Sequence, residues 1–161
     1  MAIQFIMELK TLSNTGLESI APLFYDLHSM HVSMYPNIFK SIAIGDSISI
    51  LNDLLQSTGS TIVTAHANST LLGYVMFRVK QKIETPLLVA RKILWVDQLY
   101  VKPLHRRAGV ANYMIDYVEK KARELNCNDL ELDYWHDNNH AGSFFCEKSF
   151  IITNCFLSKT V

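Results

Sequence analysis

The segment from Lys92 to Trp135 most constrains what this chain can fold into. It begins with "KILWVDQLYV", a long run rich in β-branched and aromatic residues that reads as a strand. It continues as "VKPLHRRAGVANYMI", in which Pro103 ends the strand and Gly109 opens a helix-like pattern. Val110, Met114, Tyr117, Val118 and Leu125 then recur on one face of a helix of about four turns. "DLELDYW" follows as an alternating strand, with Leu130, Leu132 and Tyr134 on one side. Strand, helix and strand in this order close as a right-handed parallel crossover. The turn is chemically suggestive. N–H groups at a helix start lack intrahelical acceptors, and the helix dipole adds positive potential there. Arg107, Ala108, Gly109, Val110, Ala111 and Asn112 therefore offer a backbone anion cradle, to which Arg106 and Arg107 add charge. The simpler reading, that Gly109 only relieves a tight turn, stands beside it. A Walker-type loop is excluded because no GK[ST] follows, and a GxGxxG dinucleotide loop because Gly109 stands alone.

Around this unit the chain alternates strands and helices. "IQFIMELKTL" (Ile3 to Leu12) is strand-like. Thr15 and Glu18 form a possible capping box for a helix carrying Ile20, Leu23, Phe24 and Leu27. That helix fades into "HSMHVSMYPNIFK", where Pro36 breaks the pattern. Ser47 caps a second helix bearing Ile48, Leu51, Leu54 and Leu55, which ends at Gly59 and Ser60. "TIVTAHA" and "LLGYVMFRV" form an antiparallel hairpin across Asn68 and Ser69. After the crossover unit, "NHAGSFFCEKSF" reads as a short helix and "FIITNCFLS" as a closing strand. The expected architecture is one α/β domain over residues 1–161, a mixed, mostly antiparallel sheet flanked by helices, with a parallel strand–helix–strand unit.

Bulk properties exclude some roles. A chain of 161 residues is most simply one domain, and with a formal net charge of zero it has no basic field for nucleic acid or an anionic membrane. Met1 to Leu9 is too short for a signal peptide and lacks its basic start and cleavage site. No run approaches a membrane span. Three cysteines (Cys127, Cys146, Cys155) without CxxC spacing fit ordinary buried thiols in a reduced cytoplasm.

Val101, Pro103, Arg106, Gly109 and Ala111 stand in the register Val-x-Pro, then Arg-x-x-Gly-x-Ala. Asn138, Ala141, Phe144, Phe145, Ser149 and Phe150 follow the pattern Asn-x-x-Ala-x-x-Phe-Tyr-x-x-x-Gly-Phe in part. With both blocks, and the element order, the chain resembles the GNAT superfamily of acyl-CoA-dependent N-acetyltransferases. The resemblance implies acetyl-CoA as co-substrate, with its pyrophosphate on Arg106 to Asn112. It implies that the backbone of Leu99, Tyr100 and Val101 pairs with the pantetheine arm, and that an N–H near Leu99 polarises the thioester carbonyl. Asn138 would touch the pantetheine from the other side, with Phe144 and Phe145 in the same block. The implied reaction is direct attack of a bound amine, without a covalent enzyme intermediate. The acceptor is a small-molecule amine or a protein amine, and a homodimer is an assembly open to such a chain.

The acid and base are less defined. Asp97, on the strand ahead of the turn where relatives often carry an acid, is the first choice of base; Glu131, Asp133 and His136 rank behind it. The tyrosine that many relatives use to protonate the thiolate is here Phe145. A thiol pKa of about 8.5 makes the thiolate a tolerable leaving group, so losing that acid slows turnover without forbidding it. Tyr100, Tyr113, Tyr134 or water can substitute, and Tyr134 is carried forward among the catalytic candidates. His28, His31, Tyr35 and Phe39 are the candidate acceptor-pocket residues, in a segment that often lines that pocket in relatives. Histidine spacing matches no zinc motif, and the resemblance implies no metal. An acyl-CoA-binding regulatory module with little catalysis is the alternative, and an unrelated α/β binding domain the third reading.

Overall fold

The computed structural model describes residues 6–13 and 16–161. Its elements are β1 (Met7–Thr11), α1 (Leu17–Met34), α2 (Ser47–Thr58), β2 (Thr61–Ala67), β3 (Thr70–Lys82), β4 (Arg91–Val101), α3 (Val110–Glu124), β5 (Asp129–Leu132) and α4 (Asn139–Glu147). The strands form one sheet in sequential order, β1-β2-β3-β4-β5. The first three pairings are antiparallel. β4 and β5 run parallel, as the crossover required. The α/β class, the mostly antiparallel sheet and the parallel unit are all as expected.

Two apolar cores sandwich the sheet. On one face Val110, Met114 and Val118 of α3 pack against Val63, Val75, Phe77, Leu94 and Val96. On the other, Ile20, Leu23, Phe24 and Leu27 of α1 and Leu51 of α2 cover Ile62, Tyr74, Met76 and Tyr100. The alternation of strand side chains divides each strand between the two cores. Asn68 and Ser69 both take left-handed φ in the β2–β3 hairpin, as its two-residue turn demands.

Several boundaries differ from expectation. The first strand is described from Met7 only, and Thr15 of the proposed capping box lies outside the described residues. Helix α1 does not fade at His28 but continues to Met34. Its end is set by Pro36, which disfavours helical backbone at the preceding residue. Ser47 is not the cap of α2 but its first residue, and it is fully buried. Leu125 follows α3 and is half-exposed, while Ile115 and Ala122 join the buried face. Strand β5 stops at Leu132, so Tyr134 lies beyond it. The expected closing strand is absent: residues 151–161 form no strand and are exposed throughout. The local pattern is strand-like, but a strand requires a partner, and among the described residues none is in place. The cysteines are not the buried thiols expected: Cys127 is half-buried, and Cys146 and Cys155, on α4 and in this unpaired segment, are exposed.

Candidate active site

β4 is the centre of the site. It pairs with β3 along its whole length, but with β5 only from Ile93 to Val96. From Asp97 to Val101 its second edge carries no strand among the described residues. The Lys102 N–H bonds the Leu72 carbonyl on the β3 side at 2.9 Å. Backbone groups alternate along a strand, so the N–H and C=O of Val101 and Leu99 point to the open edge. The Val101 carbonyl is capped by Arg106 Nε at 3.0 Å. The Leu99 N–H and C=O and the Val101 N–H are left as an open, strand-like hydrogen-bonding edge.

A bulge sets the phase of this edge. Met76 pairs with Gln98 and Phe77 with Val96, so Asp97 is the extra residue on β4. Bulges re-aim side chains, and here Asp97 enters a polar network. Its Oδ1 lies 3.1 Å from the Arg78 guanidinium, and its Oδ2 accepts from Ser60 Oγ at 2.8 Å. Beside it, Lys80 sits over the Trp95 ring at 3.3 Å; burial, then Arg78, holds its ammonium below the usual lysine range. Next along β4, Gln98 Oε1 accepts from Tyr74 Oη at 2.7 Å. Full burial raises the Tyr74 pKa, so the phenol stays protonated and donates.

At the end of β4 a short 3₁₀ turn (Pro103–His105) leads to Arg106. Arg107 takes φ +60 and Gly109 φ +81. Gly109 is the N-cap of α3, which no side chain caps, and its carbonyl accepts the Tyr113 N–H at 3.0 Å. The N–H groups of Val110, Ala111 and Asn112 precede the helical ladder, whose first bond is the one from Tyr113. They are donors at a helix start, where an anion is favoured. Arg107, Ala108 and Asn112 are exposed, Gly109 and Ala111 half-buried, and Val110 is buried in the α3 core. Arg106, expected to serve the anion, spends its Nε on the β4 carbonyl and lies over Tyr100 at 5.6 Å. Tyr100 is buried, and burial raises its pKa.

The acceptor-pocket candidates come together as an aromatic wall. His31 stacks on Phe39 at 5.1 Å, and His28 meets the same ring edge-on at 5.9 Å. Trp135 joins them, 5.0 Å from Phe39 and 4.6 Å from Tyr35. His28 Nε2 donates to the Lys40 carbonyl at 2.7 Å, and Tyr35 Oη accepts the Asp137 N–H at 3.1 Å. Burial, then the neighbouring His28, lowers the His31 pKa, so that ring is neutral near pH 7. Next to this wall, Met30, Met34, Asp137, Asn138, Asn139 and His140 line a cavity of about 350 Å³. Among the described residues no three His, Cys, Asp or Glu side chains come together to hold a metal ion.

Helix α4 closes the site. Asn138 Oδ1 accepts the Ala141 N–H at 3.2 Å, so Asn138 caps α4 and keeps its amide N–H₂ and one oxygen lone pair for other contacts. Phe145 is buried, 5.2 Å from Phe144, 5.5 Å from Phe150 and 6.2 Å from Tyr134. Ser149 adopts φ +65, a left-handed backbone that glycine takes at little cost. Tyr134 lies against Gly142: a Cβ at Gly142 would come within 3.0 Å of the phenol oxygen.

The description "Acetyltransferase (GNAT) family" matches residues 24–150, a span that includes the open β4 edge, the glycine turn and α4. The chain belongs to the GNAT acetyltransferase family. No curated protein matches the sequence. Solved structures share the GNAT fold at low identity. A point mutant of the BH1408 protein from Bacillus halodurans superimposes with a TM-score of 0.88 at 18% identity, covering 96% of this chain and 99% of that one. A Trypanosoma brucei acetyltransferase gives 0.69 at 15% identity, covering 97% and 100%. The aminoglycoside N-acetyltransferase AAC(6')-Iy, solved in complex with CoA, gives 0.70 at 14% identity, covering 100% and 98%. No helix among the described residues of this GNAT protein is long and apolar enough to cross a membrane.

Sequence reasoning missed Arg78, Ser60, Lys80, Trp95 and Trp135, which complete the polar network and the aromatic wall. No local pattern marks them, because each reaches the site only through strand register or a loop. Gly73 and Gly142 were also missed. Both are needed for close approach, one to the backbone of Tyr100 and the other to the Tyr134 ring.

Proposed function

We propose that this GNAT protein is an N-acetyltransferase that moves an acetyl group from acetyl-CoA directly to an amine in a ternary complex. The observation that carries the proposal is the open edge of β4 running into an uncapped glycine turn. The turn from Arg106 to Asn112 receives the pyrophosphate. The Leu99 N–H and C=O and the Val101 N–H, with Tyr100 between them, pair with the pantetheine arm. Asn138, Phe144 and Phe145 flank the arm from α4. His28, His31, Tyr35 and Phe39, with Trp135, form the acceptor wall.

The reaction follows from these placements. The amine attacks the thioester carbonyl, and the Leu99 N–H stabilises the oxygen as it gains charge. An ammonium of pKa about 10 must first lose a proton. Asp97 accepts it through water, using the lone pairs that Arg78 and Ser60 leave free. As the C–S bond breaks, Tyr134 donates a proton to the sulfur in place of the absent tyrosine at Phe145. The products are an amide and the free thiol. The cytoplasm, where acetyl-CoA is made and used, is the matching location.

Thiol release with a panel of polyamines, amino acids, aminoglycosides and lysine peptides tests the assignment. One acceptor well above background is the expected result. Stabilisation by acetyl-CoA with background hydrolysis for every amine would favour the regulatory-module reading. With the acceptor in hand, Asp97→Asn is expected to lower kcat/KM by about 100-fold at pH 7 and progressively less toward pH 10, where the amine deprotonates unaided. A loss of equal size at every pH rejects the base role. Tyr134→Phe is expected to reduce kcat by about 10- to 100-fold with acetyl-CoA affinity unchanged. An unaltered kcat removes Tyr134 from the mechanism.

A further inference from the structure

Acetyl transfer leaves a proton over. An alkylammonium gives up two protons in becoming an amide; the CoA sulfur takes one, and the other must leave the protein at every turnover. On the N-acetyltransferase reading above, on which this inference rests, that proton lands on Asp97. The Asp97 side chain is only 12% exposed, so it is poorly placed to hand a proton straight to bulk water. Of its two partners, the Arg78 guanidinium, 3.1 Å from Oδ1, has no acceptor to offer.

The other partner, Ser60, both donates and accepts. Its Oγ lies 2.8 Å from Asp97 Oδ2 and 2.7 Å from Thr58 Oγ1. Thr58 Oγ1 in turn donates to the Leu54 carbonyl at 2.8 Å. The Ser60 hydroxyl thus has an acceptor on either side. It points to the Asp97 carboxylate at rest and can turn away when Asp97 carries the proton. Ser60 also lines a cavity of about 200 Å³, with Thr11, Ser13, Thr61, Leu17 and Leu55. Thr11, Ser13 and Thr61 are exposed, so this cavity meets bulk water. At about 30 Å³ per water it has room for several, among hydroxyl groups that bond them. It lies at the start of α1, whereas the acceptor wall lies toward the far end. From Leu17 to His28 the helix advances about 16 Å, at 1.5 Å per residue.

We propose that Ser60 is a proton relay, passing the proton from Asp97 to the water of this cavity. The amine then enters at one end of α1 and the proton leaves at the other. The step balances. The Asp97 O–H bond breaks as an O–H bond forms at Ser60 Oγ, and the proton that Ser60 held passes to a cavity water and leaves as hydronium. Asp97 returns to a carboxylate and Ser60 to a neutral hydroxyl. Thr58 holds the Ser60 oxygen in place while its hydroxyl reverses.

Thiol release in dilute buffer, with acetyl-CoA and an accepted amine, tests this. Ser60→Val and Ser60→Thr have nearly the same shape and differ by a hydroxyl. Ser60→Val is expected to lower kcat by about 10- to 100-fold, within the reach of one proton-transfer step, with KM for both substrates unchanged. Ser60→Thr is expected to regain most of that loss. Equal losses in both variants, or an undiminished kcat in Ser60→Val, overturn the relay. If Ser60→Val loses its native circular dichroism spectrum, Ser60→Ala decides. Its kcat is expected to start low and rise with phosphate concentration at constant pH and ionic strength, as the buffer takes the proton in place of Ser60. A kcat that phosphate does not move overturns the relay. A wild-type chain that releases thiol with no amine fails the N-acetyltransferase reading, and the relay with it. A chain that turns over but is indifferent to the hydroxyl fails the relay alone.

Discussion

Gly109→Trp is expected to weaken acetyl-CoA binding by at least about 100-fold while leaving the fold intact. Gly109 caps α3 at φ +81, and the space where a Cβ would sit is open, with nothing within 4 Å. The helix therefore tolerates a side chain at a cost of about 1–2 kcal/mol for left-handed backbone. The proposed pyrophosphate does not, because an indole fills the open space beside the turn that the anion would occupy. Losing two charge-assisted hydrogen bonds of about 1.5 kcal/mol each accounts for the hundredfold. Gly109→Ala separates the two causes: it carries the backbone cost without the bulk. Calorimetric titration with acetyl-CoA, beside thermal melts, reads both effects. Wild-type affinity in the tryptophan variant would reject the cradle.

Gly73→Ala is expected to destabilise the protein by about 3 kcal/mol or more, through one added methyl group. That Cβ would lie 2.3 Å from the Tyr100 carbonyl oxygen and 3.0 Å from the Val101 Cα. Both are backbone atoms of β4, so relief requires separating β3 from β4 in the middle of the sheet. The melting temperature is expected to fall by about 6–12 °C. Because Tyr100 and Val101 border the proposed pantetheine edge, acetyl-CoA stabilisation should shrink in the same variant. A melt within about 1 °C of wild type would mean the two strands approach less closely than described.

The fold was legible where information is local. The 3.6-residue period of Val110, Met114 and Val118 and the strand patterns on either side of α3 fix a parallel crossover whatever the rest of the chain does. The glycine turn was legible too, since helix-start donors and left-handed backbone depend on a few consecutive residues. Boundaries were read less well. Helix α1 outran its apolar pattern because Pro36, and not the loss of periodicity, ends it. Leu125 kept the helical spacing but fell past the last turn.

The polar half of the site was not legible, because it is made by pairing. Asp97 meets Arg78 only through the β3–β4 register, with a bulge that no residue type announces. Its contact with Ser60 spans 37 positions of sequence. The aromatic wall was half-read: His28, His31, Tyr35 and Phe39 were named as a segment, but Trp135 reaches them from beyond β5. Phe145 announced a missing proton donor in the sequence. Only the packed structure places Tyr134 beside it, in the space that Gly142 leaves.

The amino-acid sequence by itself determined the β4–turn–α3 unit, the glycine turn at the start of α3 and the family, because short-range periodicity and backbone conformation carry that information. Tertiary structure decided which groups surround Asp97, where a phenol stands relative to α4, and that residues 151–161 stay unpaired in one chain. Those outcomes depend on strand register and on the supply of partners, and neither is written in any local stretch of residues.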